Sequence, residues 1–172
     1  MKPDKIIITG PESTGKTTLA EAIAKKLNLQ LIPEFARNYM QSLNRKYTFE
    51  DVMYIGLQQI ETIYVSHSQS PIICDTDLLT TIIWLEDKFN YTEPAFNDLW
   101  RKKSNDIFFL CPPDFAWQYD PLREDEDRRE ILYKKYLHYL TVFEKKYFEI
   151  TGDEIQREQY AINEIIANLD VL

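Results

Sequence analysis

The stretch Gly10-Pro11-Glu12-Ser13-Thr14-Gly15-Lys16-Thr17 constrains this chain more than any other part of it. It matches G-x-x-x-x-G-K-[ST] at every position. It stands between a short β-branched run, Lys5 to Thr9, and a stretch from Gly15 to Asn28 in which Leu19, Ile23 and Leu27 recur on one helical face. A strand, a glycine-bounded loop and a helix in that order make a cradle for an anion. The glycines let the chain curl so that successive N–H groups face inward, and the positive end of the helix dipole adds to their field. The motif places Lys16 on the β- and γ-phosphates of a nucleotide and the Thr17 hydroxyl on Mg²⁺. Thr18 is placed to cap or touch an α-phosphate, so Gly10 through Thr18 are the candidate nucleotide contacts. Glycine usage agrees, because two of the chain's four glycines bound this loop.

Downstream, short apolar runs alternate with longer amphipathic stretches. Strands are expected at Leu29–Ile32, Pro71–Cys74, Ile107–Cys111 and Tyr147–Thr151, and helices over 50–66, 78–88, 95–103, 127–143 and 153–168. That alternation implies crossovers and a mainly parallel sheet. The fold expected is α/β, a P-loop NTPase three-layer sandwich on a five-stranded sheet. Residues 1–172 form one domain, with residues 112–129 as a lid.

The 20 Lys and Arg against 28 Asp and Glu give a net charge of −8. Nucleic acid is therefore not an expected partner, since affinity for a polyphosphate rests on clustered cations. No apolar run approaches the length of a membrane span, and Met1 to Lys5 lead into the first strand without the apolar core of a signal peptide. Cys74 and Cys111 each close an apolar run and read as buried free thiols of a reducing compartment, which points to the cytoplasm. His67 and His138 lack metal-ligand spacing and read as surface or structural residues.

In an open parallel sheet, ligands gather beyond the carboxyl ends of the strands. Those ends carry Glu34, Asp75 and Asp77 beside the phosphate loop, an acidic set suited to metal-dependent phosphoryl transfer. Asp75 follows Ile72-Ile73-Cys74 as a metal-binding carboxylate would, although it or Asp77 would also serve as an N-cap before Leu78. Glu34 is the candidate general base, with an ordinary ion pair to Arg37 as the alternative. Within the lid, Arg123 is the candidate for stabilising transferred charge. Arg129 reads as a solvated member of a mixed-charge run. Trp117 is suited equally to stacking on a flat ring or to the core, and Tyr136, Tyr139 and Phe143 fall at core spacing. A GTPase is set aside because N-K-x-D and D-x-x-G are missing, a transporter ATPase because L-S-G-G-Q is missing, and an AAA+ machine because the chain is short.

Taken together, five segments resemble the NadR-type P-loop domain, the ribosylnicotinamide kinase part of a bifunctional NAD-biosynthesis regulator. They are G-P-E-S-T-G-K-T at Gly10 to Thr17, P-E-F-A-R at Pro33 to Arg37, G-x-Q at Gly56 to Gln58, D-T-D at Asp75 to Asp77, and W-x-x-D-x-L-R at Trp117 to Arg123. The resemblance implies ATP and Mg²⁺ as cofactors and a nucleoside-like acceptor such as nicotinamide riboside. It also implies Arg37, Gln58, Asp77 and Trp117 as substrate contacts. The chain departs from the family pattern at Pro33, where an aromatic residue precedes the glutamate, and at Pro121, where D-G-L-R becomes D-P-L-R. The rival readings are a nucleotide-dependent switch or binding module without a small-molecule acceptor, and a kinase of another nucleoside or metabolite.

Overall fold

A computed structural model describes residues 3–65 and 71–169; His67 and the end of the helix expected to reach Ser66 lie outside them. Five parallel strands form one sheet in the order β2-β3-β1-β4-β5. They are β1 Lys5–Thr9, β2 Leu31–Ile32, β3 Ile72–Asp75, β4 Ile107–Leu110 and β5 Lys146–Glu149. The helices are α1 Lys16–Leu27, α2 Phe35–Ser42, α3 Phe49–Gln59, α4 Leu78–Phe89, α5 Pro94–Arg101, α6 Arg129–Val142 and α7 Glu154–Leu169. A π-helical stretch, Ile60–Val65, prolongs α3.

Two cores explain the three layers. Ile6 and Ile8 point to one face of β1, where they meet Leu19, Ala20 and Ile23 of α1 and Ala161 and Ile165 of α7. Ile7, between them, points the other way into Val52, Leu78, Ile82, Phe96 and Leu140. Helices cover both faces, so the central strands have no polar side and read as continuous apolar runs. The sequence expectation extended β2 two residues too early and missed α2. Only Ala36 of α2 is buried, and the helix is held by a ring cluster of Phe35, Tyr39 and Tyr54 instead of a core stripe.

Because β1 pairs with β3 on one side and β4 on the other, the chain leaves the sheet in opposite directions around β1. The crevice at that switch point opens above Gly10. The register sets Asp75 level with Ile8, and Thr76 N–H donates to Ile8 O at 2.9 Å. Cys74 and Cys111 are both free and buried. Among the described residues, no helix is long and apolar enough to cross a membrane.

Candidate functional site

The loop after β1 is shaped by its neighbours as much as by its glycines. A Cβ on Gly10, whose φ is 132°, would stand 2.5 Å from Cys111 O, so no side chain fits there. Gly15, left-handed at φ 78°, turns the chain into α1. Inside the loop, the Thr14 hydroxyl donates to Pro11 O at 2.9 Å and Lys16 Nζ donates to the same carbonyl at 2.6 Å. Two donors on one oxygen brace the crown of the loop, and they keep the ammonium over it. The N-terminal turn of α1 offers its unpaired N–H groups to the same space, so the arrangement suits a polyphosphate.

Thr17 and Asp75 are joined at this floor. The Thr17 hydroxyl donates to Asp75 Oδ2 at 2.7 Å, while the buried Asp75 Oδ1 has no hydrogen-bond partner. Burial raises the pKa of Asp75, and Lys16 and the Thr17 hydrogen bond pull it back. An orphaned carboxylate oxygen beside a hydroxyl fits Mg²⁺ held through water, the arrangement expected when phosphates supply the remaining ligands. No cluster of three His, Cys, Asp or Glu side chains able to hold a metal occurs among the described residues, so the protein alone offers no closed metal cage.

Glu34, just past β2 and before α2, lines the same cleft. Burial raises its pKa, Asp75 adds to the rise, and Lys16, Arg37 and Arg123 oppose it. Its carboxylate therefore sits among cations and beside a second carboxylate in a poorly hydrated place, the setting in which a carboxylate becomes a better base. The alternative reading of Glu34, an ion pair with Arg37, is not what the structure has: Arg37 turns to the lid. Its Nη2 donates to Asp120 Oδ2 of the lid at 3.1 Å.

The segment expected to act as a lid is bonded to the loop, largely through its backbone. Ser13 Oγ accepts from Gln118 N at 3.0 Å and from Arg123 Nη1 at 3.3 Å, and Glu12 Oε1 accepts from Glu124 N and Asp125 N. Arg129 corrects its sequence reading. It is not a solvated charge: its Nη1 donates to Ser13 O at 3.2 Å and to Phe115 O at 2.9 Å, tying the start of α6 to the loop. Trp117 is neither core nor part of the cleft lining, and lies under the guanidinium groups of Arg129 and Arg123 at 5.5 and 6.0 Å.

The cleft has a volume of about 670 Å³ and extends from the phosphate loop to a chamber lined by Met40, Tyr47, Ile83, Trp84, Asp87 and Lys88. Tyr47 and Trp84 meet edge to face at 4.9 Å, forming an aromatic wall. Asp87 is gripped by both nitrogens of Arg128 at 2.8 Å and by Lys135 at 2.6 Å, and Lys88 donates to Asp125 at 2.8 Å. The sequence reading missed these residues. A signal existed: Thr80, Ile83, Trp84, Asp87 and Lys88 fall three, four, seven and eight apart, one stripe of α4 that mixes polar groups into an apolar helix.

Besides Trp117, two further expected substrate contacts lie off the cleft lining. Asp77 is fully buried, accepting from Leu79 N at 3.2 Å and Trp100 Nε1 at 2.8 Å, so it caps α4 instead of facing the cleft. Gln58 is absent from the cleft lining; its neighbour Gln59 is the buried member, accepting from the Thr81 hydroxyl at 2.5 Å.

Known structures share this architecture. NadR in complex with nicotinamide riboside superposes with a TM-score of 0.82 at 22% identity, covering 99% of this chain and 52% of that one. NadR with NAD and AMP-PNP gives 0.78 at 21% identity, over 99% and 50%. This chain thus spans about half the length of those NadR chains. Deoxyadenosine kinase from M. mycoides, with dCMP bound, gives 0.69 at 18%, over 95% and 99%. Thymidylate kinase from Ehrlichia chaffeensis gives 0.64 at 15%, over 99% and 100%. Among curated proteins none matches the sequence. A family model described as an AAA domain matches residues 5–157, which span the whole sheet, the phosphate loop and the lid. The match lies within the P-loop core itself. The chain therefore belongs to that AAA domain family, built on the P-loop α/β fold.

Proposed function

We propose that this protein transfers the γ-phosphoryl group of ATP to a hydroxyl of a nucleoside-like acceptor, with nicotinamide riboside the foremost candidate. The observation that carries the proposal is the content of one cleft: a phosphate cradle, a half-buried carboxylate at the end of β2, and an aromatic chamber. A switch or binding module needs the first of these alone. The solved structures that share the fold include a deoxyadenosine kinase and a thymidylate kinase, and NadR is seen with nicotinamide riboside.

In this reading the loop amides and Lys16 hold the β- and γ-phosphates, and Arg123 and Arg129 close over them and exclude water. Glu34 accepts the acceptor's hydroxyl proton as its oxygen attacks phosphorus, and ADP leaves with the electrons of the broken P–O bond. Thr17 and Asp75 would hold Mg²⁺, which neutralises charge on the phosphates. The acceptor's flat ring lies against Trp84 and Tyr47, where the carboxylates of Asp87, Glu124 and Asp125 line the chamber. A cationic ring such as the pyridinium of nicotinamide riboside gains from these aromatic faces. This chamber also accounts for Pro33: stacking supplied by α4 relieves the residue before Glu34 of that task.

The deciding measurement is ADP release from Mg·ATP against a panel of nucleosides, deoxynucleosides, nucleotides and nicotinamide riboside. Turnover stimulated most by nicotinamide riboside is the expected result. Stimulation by another member reassigns the acceptor, and saturable ATP binding without stimulation by any of them replaces the kinase with a nucleotide-dependent switch.

A further inference from the structure

A carboxylate inside a phosphate loop is an electrostatic oddity, because like charges in a poorly hydrated site repel strongly. Glu12 occupies that position, and its side chain is turned to the lid. One oxygen, Oε1, accepts from Glu124 N at 3.0 Å and from Asp125 N at 2.7 Å. These are the two amides that follow Arg123. The residues before it are fixed as well: Arg123 N donates to Asp120 O at 2.9 Å, Leu122 N donates to Asp120 Oδ1 at 3.0 Å, and Arg123 Nη1 donates to Gln118 O at 2.6 Å. Residues 118–125 thus form a compact turn fastened to adjacent loop residues, through Ser13 on one side of Arg123 and Glu12 on the other.

We propose that Glu12 is a positioning residue for Arg123, fixing the lid backbone next to it so that the guanidinium is delivered to the phosphate loop. The inference rests on the kinase reading above, since Arg123 matters only if charge is transferred beside it. Burial raises the pKa of Glu12 while the two lid amides lower it, in keeping with a side chain held by the lid instead of by water. The same turn reaches further. The Asp125 side chain accepts from Lys88 at 2.8 Å and from Arg128 at 3.0 Å, which fastens the far end of the turn to α4 and to the residue before α6.

The test is a double-mutant cycle with the acceptor identified by the panel. Glu12→Ala is expected to lower kcat by about 10²-fold, the scale of a misplaced catalytic group, with the KM for ATP changed far less. Glu12→Gln keeps an oxygen for the two amides and is expected to recover most of that loss. In an Arg123→Ala background, Glu12→Ala is expected to add nothing, because a residue acting through Arg123 has no further effect once Arg123 is gone. Losses that multiply in the double variant overturn the proposal, as does a Glu12→Gln enzyme as impaired as Glu12→Ala. Hydrogen exchange at the Glu124 and Asp125 amides of the nucleotide-free protein reads the tether without turnover. Faster exchange in Glu12→Ala but not in Glu12→Gln supports it, and unchanged exchange in both overturns it. If the wild type shows no acceptor-stimulated turnover, the kinase reading falls by itself, and the exchange result still decides the tether.

Discussion

The Thr17 hydroxyl donates to Asp75 Oδ2 at 2.7 Å across the floor of the phosphate loop, leaving Asp75 Oδ1 buried and unpartnered. A hydroxyl and a carboxylate joined this way are oriented before any ion arrives. If the free oxygen serves Mg²⁺ through water, Asp75→Asn should weaken nucleotide binding in the presence of Mg²⁺ by about 10- to 100-fold, the range for outer-shell partners of a metal. Binding in EDTA should hardly change. Titration calorimetry under both conditions separates the roles: equal weakening with and without Mg²⁺ would mean that Asp75 only shapes the loop.

Glu34 makes a prediction about pH. A base works ionised, and burial lifts its pKa above the ordinary 4.5. Activity should therefore fall as pH drops through that raised value, giving kcat/KM an acid limb above 4.5. Glu34→Gln should flatten this limb and lower kcat by about 10²-fold or more while ATP binding persists. A variant with full turnover would remove Glu34 from the chemistry.

What the sequence made legible follows from the range of the forces involved. The β1–loop–α1 unit is contiguous, and each residue type in it has a local reason, so the anion cradle could be read from it, as the parallel sheet could from the alternation of strands and helices along the chain. Helix α2 could not, because the ring cluster that holds it is completed by Tyr54 of the next helix. The contacts between loop and lid join residues more than a hundred positions apart, such as Glu12 with Asp125 and Ser13 with Arg129. No local pattern marks such pairs, and Arg129 looked solvated because its neighbours in sequence are charged. Asp77 shows the converse: the N-cap alternative rested on local geometry, and local geometry prevailed.

Asp77 also carries a stability prediction. Burial lifts its pKa from an ordinary 3.8 to about 6, against the pull of the Trp100 and Leu79 hydrogen bonds. Between those values the native state keeps a proton that the unfolded chain has released. The group's contribution to stability is therefore fully present below 3.8 and is lost as pH rises through about 6. The interval corresponds to about 3 kcal/mol at about 1.4 kcal/mol per pH unit. The difference in unfolding free energy between wild type and Asp77→Asn should thus move against the wild type by roughly that amount from pH 4 to pH 7, measured by urea denaturation. A difference that stays constant with pH would contradict the buried, costly carboxylate.

Gly56 belongs to the G-x-Q segment, and its surroundings assign it to packing. A Cβ there would stand 2.3 Å from Phe96 Cε2, 2.6 Å from Phe96 Cζ and 3.1 Å from Thr81 Cγ2. Phe96 is 2% exposed and lies within the core between α3 and α5, so the ring has little room to retreat. Gly56→Ala brings two opposed effects. Alanine favours an exposed helix by about 1 kcal/mol over glycine. Overpacking a close-fitted core costs about 1–3 kcal/mol, and contacts this short belong at the upper end of that range. Net destabilisation of about 1–2 kcal/mol is expected in urea unfolding, with ATP affinity preserved in the folded fraction. Pairing the substitution with Phe96→Leu, which removes the crowding ring atoms, should make the same alanine nearly neutral or favourable. A Gly56→Ala protein that is fully stable yet deficient in ATP binding would instead place Gly56 at the ligand.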